Sequence, residues 1–553
     1  MKKKVMAALA VLCAAVLLVS CGSYRSSSSL SEKSSTSETK QASVPQISYI
    51  QPKASVPEAL ADIADGAASE AGTDVYREEE IRFEPAEFNT EEYNAVRENG
   101  FHSVLTSPLS TFAADVDTAS YANVRRMLEW GYRADEIPAG AVRAEEMLNY
   151  FSYDYEGPKG REPFGVNAEI AGCPWNEDHK LLMLGLQTEE IDFSEAPDTN
   201  LVFLIDVSGS MDEDNKLPLL VKSFSMLVDE LGEKDRVSIV TYASGNEIVL
   251  EGVKGSRKEK IIDALEGLTA SGSTNGGQAI IDAYDLAEEF YIEGGNNRVI
   301  LATDGDFNVG VTSEGELERL IRKEKEKGIF LSVLGFGMGN YSDARMETLA
   351  DNGNGNYAYI DTEKEAKKVL VEELGANMFT VAKDVKLQIE FNPEFVAGYR
   401  QIGYENRGMA AEDFDDDTKD GGEIGAGHSV TVLYEIVPAD KESASGRKLK
   451  YQESGIRREA ETSGEWFTLS VRYKEPDGEE SALLEYPVGE EALTERPSED
   501  MVFAGAVAEF AMILNDSEYL EDGSLRHLKK IVDGIESEDE YRSEFIDMVY
   551  MIR

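Results

Sequence analysis

The chain is poor in the residues that build most metal centres and covalent frameworks. Its 553 residues include three cysteines, Cys13, Cys21 and Cys173, too few for a disulfide framework. It has four histidines, His102, His179, His428 and His527, and none lies between residues 180 and 427. That spacing argues against a zinc site and against a histidine-dependent triad. Cationic residues are also scarce: 54 Lys and Arg face 106 Asp and Glu, a formal net charge of −52. A nucleic-acid binder needs a basic face, so that class is excluded, as is docking on anionic lipid by charge. The 42% of apolar residues is ample for packed cores, and the length allows three or four domains.

The N-terminus reads MKKKVMAALAVLCAAVLLVSC. Lys2 to Lys4 precede an uncharged run from Val5 to Val19, shorter than the roughly 20 residues of a spanning helix. This is the pattern of a signal peptide. Leu18-Val19-Ser20-Cys21 resembles the lipobox of bacterial lipoproteins. The resemblance implies cleavage before Cys21, a covalent diacylglycerol and acyl lipid on its thiol, and export; an ordinary secretory signal is the alternative. Residues 22 to about 75 are rich in Ser, Thr, Ala, Gln and Glu, a composition that buries too little apolar surface to order itself.

The remainder changes character along its length. Ser120–Trp130 and Arg143–Phe151 carry helical patterns, and Phe164–Gly172 and Lys180–Thr188 read as extended. Between 199 and 375, short continuously apolar runs (Leu201–Ile205, Val237–Thr241, Val299–Ala302, Phe330–Leu334) alternate with amphipathic helices. Strands without alternation are buried on both faces, which predicts a doubly wound α/β domain. Gly232 stands where a helix C-cap belongs, and Ser313 with Glu316 and Ser537 with Glu540 have capping-box spacing. Period-two segments in 379–490 predict antiparallel strands, and helical patterns return after Pro497. Lys180–Leu186 (KLLMLGL) is too apolar for a solvated surface, so the early strands should pair with the late ones in one antiparallel β-sandwich, with the α/β domain inserted. The expected organisation is a signal peptide at 1–20, a lipidated tether at 21–100 and an N-terminal helical segment at 101–163. A sandwich follows from 164–195 plus 379–490, with the α/β domain at 196–378 and C-terminal helices at 497–553.

The chemistry concentrates at the carboxyl ends of the apolar strands, the rim where open α/β sheets bind ligands. The first strand runs into Asp206-Val-Ser208-Gly-Ser210. Gly272-Ser-Thr274-Asn-Gly-Gly277 precedes a helix, and Thr303-Asp304-Gly305 ends another strand. Carboxylates and hydroxyls alone suit a hard cation that takes about six oxygens, and disfavour zinc or copper. These three elements resemble the metal-ion-dependent adhesion site (MIDAS) of von Willebrand factor A (VWA) domains. TFAADVDTASYANVRR, VRAEEMLNYF and GEIGAGHSVTVLYEIVP extend the resemblance to YfbK-type bacterial lipoproteins. The resemblance implies that Asp206, Ser208, Ser210, Thr274 and Asp304 hold Mg²⁺, or Mn²⁺ or Ca²⁺. The two carboxylates would balance the cation, which keeps an open position for a carboxylate of a protein partner.

Rival motifs fit less well. A G-x-S-x-G hydrolase elbow at Ser208 would need glycine at both Asp206 and Ser210. Gly335-Phe-Gly337-Met-Gly339-Asn lacks the third glycine of a dinucleotide loop. Asp413 to Asp417 has Thr418 and Ile424 where a calcium loop needs Gly and Glu, and reads as a solvated acidic loop. Trp130, Trp175, Trp466 and Cys173 read as core. The expected protein is a non-enzymatic binding module of the bacterial cell envelope, on the exported side, held to the membrane by its lipid alone. The alternative is a scaffold or regulatory subunit working with an ATPase or assembly machinery.

Overall fold

The computed structural model describes residues 91–94, 97–190, 196–305, 307, 314–339, 341–439, 456–476, 478 and 480–552. The signal segment, Cys21, the Ser-rich tether, Ser313, Asp306 and Asn340 lie outside the described residues.

Two short strands, β1 (His102–Ser103) and β2 (Leu109–Ala113), precede helices α1 (Ala119–Glu129) and α2 (Ala144–Asn149) and the hairpin β3 (Phe164–Cys173) and β4 (Asn176–Thr188). The alternating block comprises β5 (Thr199–Asp206), α3 (Leu217–Glu230), β6 (Arg236–Tyr242), β7 (Asn246–Lys254), α4 (Lys258–Glu266), α5 (Gly277–Glu289) and β8 (Asn296–Thr303). It continues through α6 (Glu314–Lys325), β9 (Ile329–Phe336), α7 (Asp343–Asn352) and β10 (Tyr357–Ile360). Then come β11 (Thr380–Phe391), β12 (Val396–Ile402), β13 (Gly422–Gly425), β14 (Ser429–Pro438), β15 (Glu465–Lys474) and β16 (Ala482–Gly489). Helices Glu499–Leu514, Leu525–Val532 and Glu540–Met551 follow.

The alternating block forms one sheet in the order β10-β9-β8-β5-β6-β7, parallel except for β7. Along β5, Leu201, Phe203 and Ile205 pack with Leu220, Phe224 and Ile261 of α3 and α4. Val202 and Leu204 face Ala279, Ile280 and Ala283 of α5 on the other side. Helices on both faces explain why the strand is apolar at every position. This is the expected doubly wound α/β arrangement. β7 and β10 have no clear sequence signal: Asn246-Glu247-Ile248 of edge strand β7 is exposed, and β10 has only four residues.

The insertion is also as expected. β4 pairs with β14, Leu184 opposite Val432 and Leu186 opposite Val430, although the whole α/β block lies between them in the chain. The first sandwich sheet runs β1-β12-β14-β4-β3, and the second runs β13-β11-β15-β16 with β2 also on β11. Leu182, Leu184 and Leu186 face Leu387, Ile389 and Leu469 in the core between the sheets. Leu181 and Met183 point the other way, against Val507 and Phe510 of the C-terminal helices. Both faces of β4 are thus covered, which is why KLLMLGL shows no alternation.

Several local expectations are corrected. The 101–163 segment is not purely helical, because β1 and β2 join the two sandwich sheets. β2 (LSTFA) is short and half polar, so its pairing with β11, rather than its own pattern, makes it a strand. The C-cap of α3 is Leu231 in an extended conformation; the Gly232 N–H donates to Asp235 Oδ2 at 2.6 Å. The last helix is capped by Asp539, whose Oδ1 accepts from the amides of Tyr541 and Arg542, not by Ser537. Trp175 and Trp466 are buried, but Trp130 is 60% exposed.

Glu423 in β13 provides a test of the sandwich core. Burial pushes its carboxyl up to about 8, and its Oε1 has no hydrogen-bond partner. A carboxyl raised in the fold holds its proton there, so its favourable contribution is complete at acidic pH and is lost as pH rises through about 8. Glu423→Gln should therefore gain on the wild type in thermal unfolding from pH 6 to pH 9, by on the order of 2 kcal/mol. A difference that stays constant over that range would contradict this.

Candidate metal centre

The site is built where the polypeptide leaves β5 and β8, adjacent parallel strands whose carboxyl ends coincide. Asp206 is the last residue of β5 and is fully buried. Its Oδ1 accepts from the Ser208 amide at 2.8 Å, and its Oδ2 accepts from Thr303 Oγ1 at 3.2 Å. The Asp206 carboxylate is thereby aimed by both strands at once. Ser208 is buried, Ser210 is exposed, and their hydroxyl oxygens lie 3.0 Å apart.

The loop before α5 is fixed to the β5 loop by backbone. The Gly209 N–H donates to the Gly272 carbonyl at 3.0 Å, and the Ser271 N–H donates to the Val207 carbonyl at 2.8 Å. Gly272 has φ +86 and packs against Ser244, so the loop folds back over the rim. Thr274, half-buried, follows two residues later. The Phe307 ring backs Gly276, leaving no room there for a Cβ. Asp304 is fully buried just past β8, and Gly305 turns at φ +103.

The electrostatics of the site are those of two acids confined together. Burial pushes Asp206 up to about 6 against the pull of its Ser208 hydrogen bonds, and the Asp304 charge adds to the rise. Asp304 Oδ2 is 3.2 Å from Lys216 Nζ, while Asp304 Oδ1 is buried and has no hydrogen-bond partner. An orphaned buried carboxylate oxygen is unfavourable unless a cation meets it. The side chains that the β5, β8 and pre-α5 loops bring to this rim besides Lys216 offer carboxylate and hydroxyl oxygens, the donor set of a hard divalent cation. Asp206, Ser208, Ser210, Thr274 and Asp304 fit such an ion.

Three contributors lie outside the five residues that the sequence assigns to the metal. Thr303 hydrogen-bonds Asp206, Tyr242 lies buried beside both acids, and Lys216 ion-pairs with Asp304. Thr303 stands in the rim motif Thr303-Asp304-Gly305, and Lys216 left a weaker signal, a lone cation after Asp212-Glu213-Asp214-Asn215 at the start of an apolar helix. Beside Lys216, a cavity of about 260 Å³ is lined by Glu213, Asp214, Asn215, Met338 and the exposed Trp130.

The other motifs have structural roles. Gly337, at φ +71, packs on the Lys216 stem, and its carbonyl accepts from the Tyr359 hydroxyl. The acidic loop is internally satisfied: Lys386 Nζ donates to the Asp413 and Asp416 carbonyls, Lys419 meets Asp413, and Arg472 meets Asp415. Asp384, Asp420 and Glu423 gather their carboxylates within 4.8 Å, but Lys474 stands 2.6 Å from Asp384 and Lys325 stands 3.2 Å from Asp420.

Comparison with known proteins matches three family models in succession. One described as von Willebrand factor covers 87–183, the von Willebrand factor type A domain covers 200–373, and "Uncharacterized protein YfbK, C-terminal" covers 376–553. The chain is 44% identical over 469 residues to YfbK of Escherichia coli (strain K12), covering 83% of this chain and 80% of that protein. It is 31% identical over 163 residues to human inter-alpha-trypsin inhibitor heavy chain H4, covering 28% of this chain and 17% of that protein. Among solved structures, a von Willebrand factor type A protein from Catenulispora acidiphila aligns with 72% of this chain and 91% of its own, at 15% identity and a TM-score of 0.40.

Proposed function

The chain belongs to the YfbK family of proteins with a von Willebrand factor type A domain, and from that premise we propose that it captures a protein partner through a divalent cation at the β5–β8 rim. VWA domains mediate protein–protein contacts and often carry a metal site of this kind. The observation that carries the reading is the buried, unpartnered Asp304 Oδ1 beside Asp206, Ser208 and Ser210. The ion, Mg²⁺ in the first place and Mn²⁺ or Ca²⁺ otherwise, supplies Lewis acidity to an incoming carboxylate. This chain's residues orient the site: Thr303 and the Ser208 amide hold Asp206, and the backbone bonds between the Gly209 and Gly272 loops hold the serines. The function is binding rather than catalysis. No histidine lies between residues 180 and 427, so the rim strands and their loops supply none to serve Ser208 as a base.

The reading extends to the cell envelope. Cys21 would carry the diacylglycerol and acyl lipid, and the Ser-rich segment would lift the folded head from the exported face of the membrane. Among the described residues no helix is long and apolar enough to cross a membrane, which leaves the lipid as the proposed anchor. Cys21→Ser should move the protein from the membrane pellet to the soluble fraction. A mutant still released only by detergent would refute the lipid anchor.

Partner capture is tested by crosslinking the solubilised full chain in Mg²⁺ and in EDTA. Metal-dependent adducts that vanish with EDTA support the reading, and identical adducts in both overturn it. If the adducts have fixed stoichiometry, the chain is a subunit of an envelope complex rather than a free adhesin.

A further inference from the structure

Among the described residues, Lys216 is the one cation ion-paired with the proposed metal ligands. It caps the N-terminus of α3, where its carbonyl accepts from the Leu220 amide at 2.8 Å. Its side chain is 4% exposed, and Nζ lies 3.2 Å from Asp304 Oδ2. Among the described residues the next acid is Glu213, at 3.9 Å and 62% exposed, where water screens its charge. The stem is clamped: a Cβ on Gly337 would fall 2.2 Å from the Lys216 Cε. Lys216 therefore cannot swing freely into solvent, and the ammonium is held against one oxygen of Asp304 while the other faces the site.

We propose that Lys216 is a built-in counter-cation of the metal centre, a positioning residue that holds down its affinity for divalent ions and leaves the loaded centre net positive. This deepens the metal-dependent capture reading and rests on it. Asp206 and Asp304 alone would neutralise a divalent ion and leave little attraction for another anion. With the ammonium included, the loaded site carries one positive charge, and an anionic group of the partner, a carboxylate, completes the balance. The same ammonium repels the incoming metal at short range and through few intervening water molecules, where such repulsion is strong. Pairing with Lys216 also occupies Asp304 Oδ2, which leaves Oδ1 as the oxygen that would meet the metal.

The test is calorimetric titration of MgCl₂ into the full chain and three variants. Lys216→Met keeps the apolar stem against Gly337 and removes the charge. Lys216→Gln removes the charge but keeps a hydrogen-bond donor for Asp304 Oδ2. Lys216→Arg keeps the charge. The expected result is Mg²⁺ binding at least tenfold tighter in both neutral variants, with the Arg variant close to wild type. Tighter binding in Lys216→Gln alone suffices if Lys216→Met unfolds. Wild-type or weaker affinity in the neutral variants, with Mg²⁺ still bound by the wild type, overturns the counter-cation role and leaves the metal reading standing. Binding by the neutral variants and not by the wild type supports the role in its strongest form. No Mg²⁺ binding by any of them overturns both.

Discussion

Asp304→Asn should lower Mg²⁺ affinity by at least a hundredfold while leaving the fold intact. The substitution removes one of two carboxylate charges facing the ion, and two unit charges about 4 Å apart are worth roughly 4 kcal/mol at an effective dielectric of 20. The fold should survive because Asp304 sits past the end of β8, outside its ladder, and Asn keeps an acceptor for Lys216. Calorimetry and a thermal melt read the two quantities separately. Wild-type affinity in a folded Asp304→Asn variant would remove that residue from the metal centre.

Arg125→Leu should destabilise the whole head by about 3–5 kcal/mol, the range for breaking a buried charge network. Arg125 on α1 is 2% exposed and reaches three acids from distant parts of the chain. It bonds Asp361 after β10 at 2.5 Å, Glu365 at 2.8 Å, and Glu544 in the last helix at 2.6 Å. Tyr150 of the α2 end completes the cluster through hydrogen bonds to Arg125 and Glu365. Leucine would leave Asp361 and Glu365 buried without their arginine, while Glu544, 24% exposed, would keep Lys364. A single arginine thus joins the N-terminal segment, the inserted α/β domain and the C-terminal helices. Arg143 with Asp343, and Arg407 with Asp115 and Asp351, repeat the device elsewhere. Denaturant unfolding should show the loss in one cooperative transition; a melt confined to the α/β domain would contradict a unified head.

How legible this was follows from where each signal is stored. The rim residues were readable because Asp206-Val-Ser208-Gly-Ser210 and Thr303-Asp304-Gly305 directly follow runs buried on both faces. The insertion was readable because KLLMLGL is apolar on both faces of one strand, and only pairing plus a second covering layer satisfies that. β2 was not readable, since its strand character comes from β11, more than 270 residues away. Nor were the Arg125 partners, which lie 236, 240 and 419 residues along the chain. Lys216 shows the limit most clearly. Its local context, a charged turn before a helix, is that of a solvated lysine, and only the placement of β8 and Gly337 makes it a buried one.

The central claim is that a divalent cation sits among Asp206, Ser208, Ser210, Thr274 and Asp304. Anomalous diffraction from crystals grown with MnCl₂ tests it most directly. The account predicts one strong manganese peak enclosed by those side chains, with Asp304 Oδ1 among its neighbours and Oδ2 still on Lys216. An empty rim, or manganese only at Asp384, Asp420 and Glu423, would contradict it.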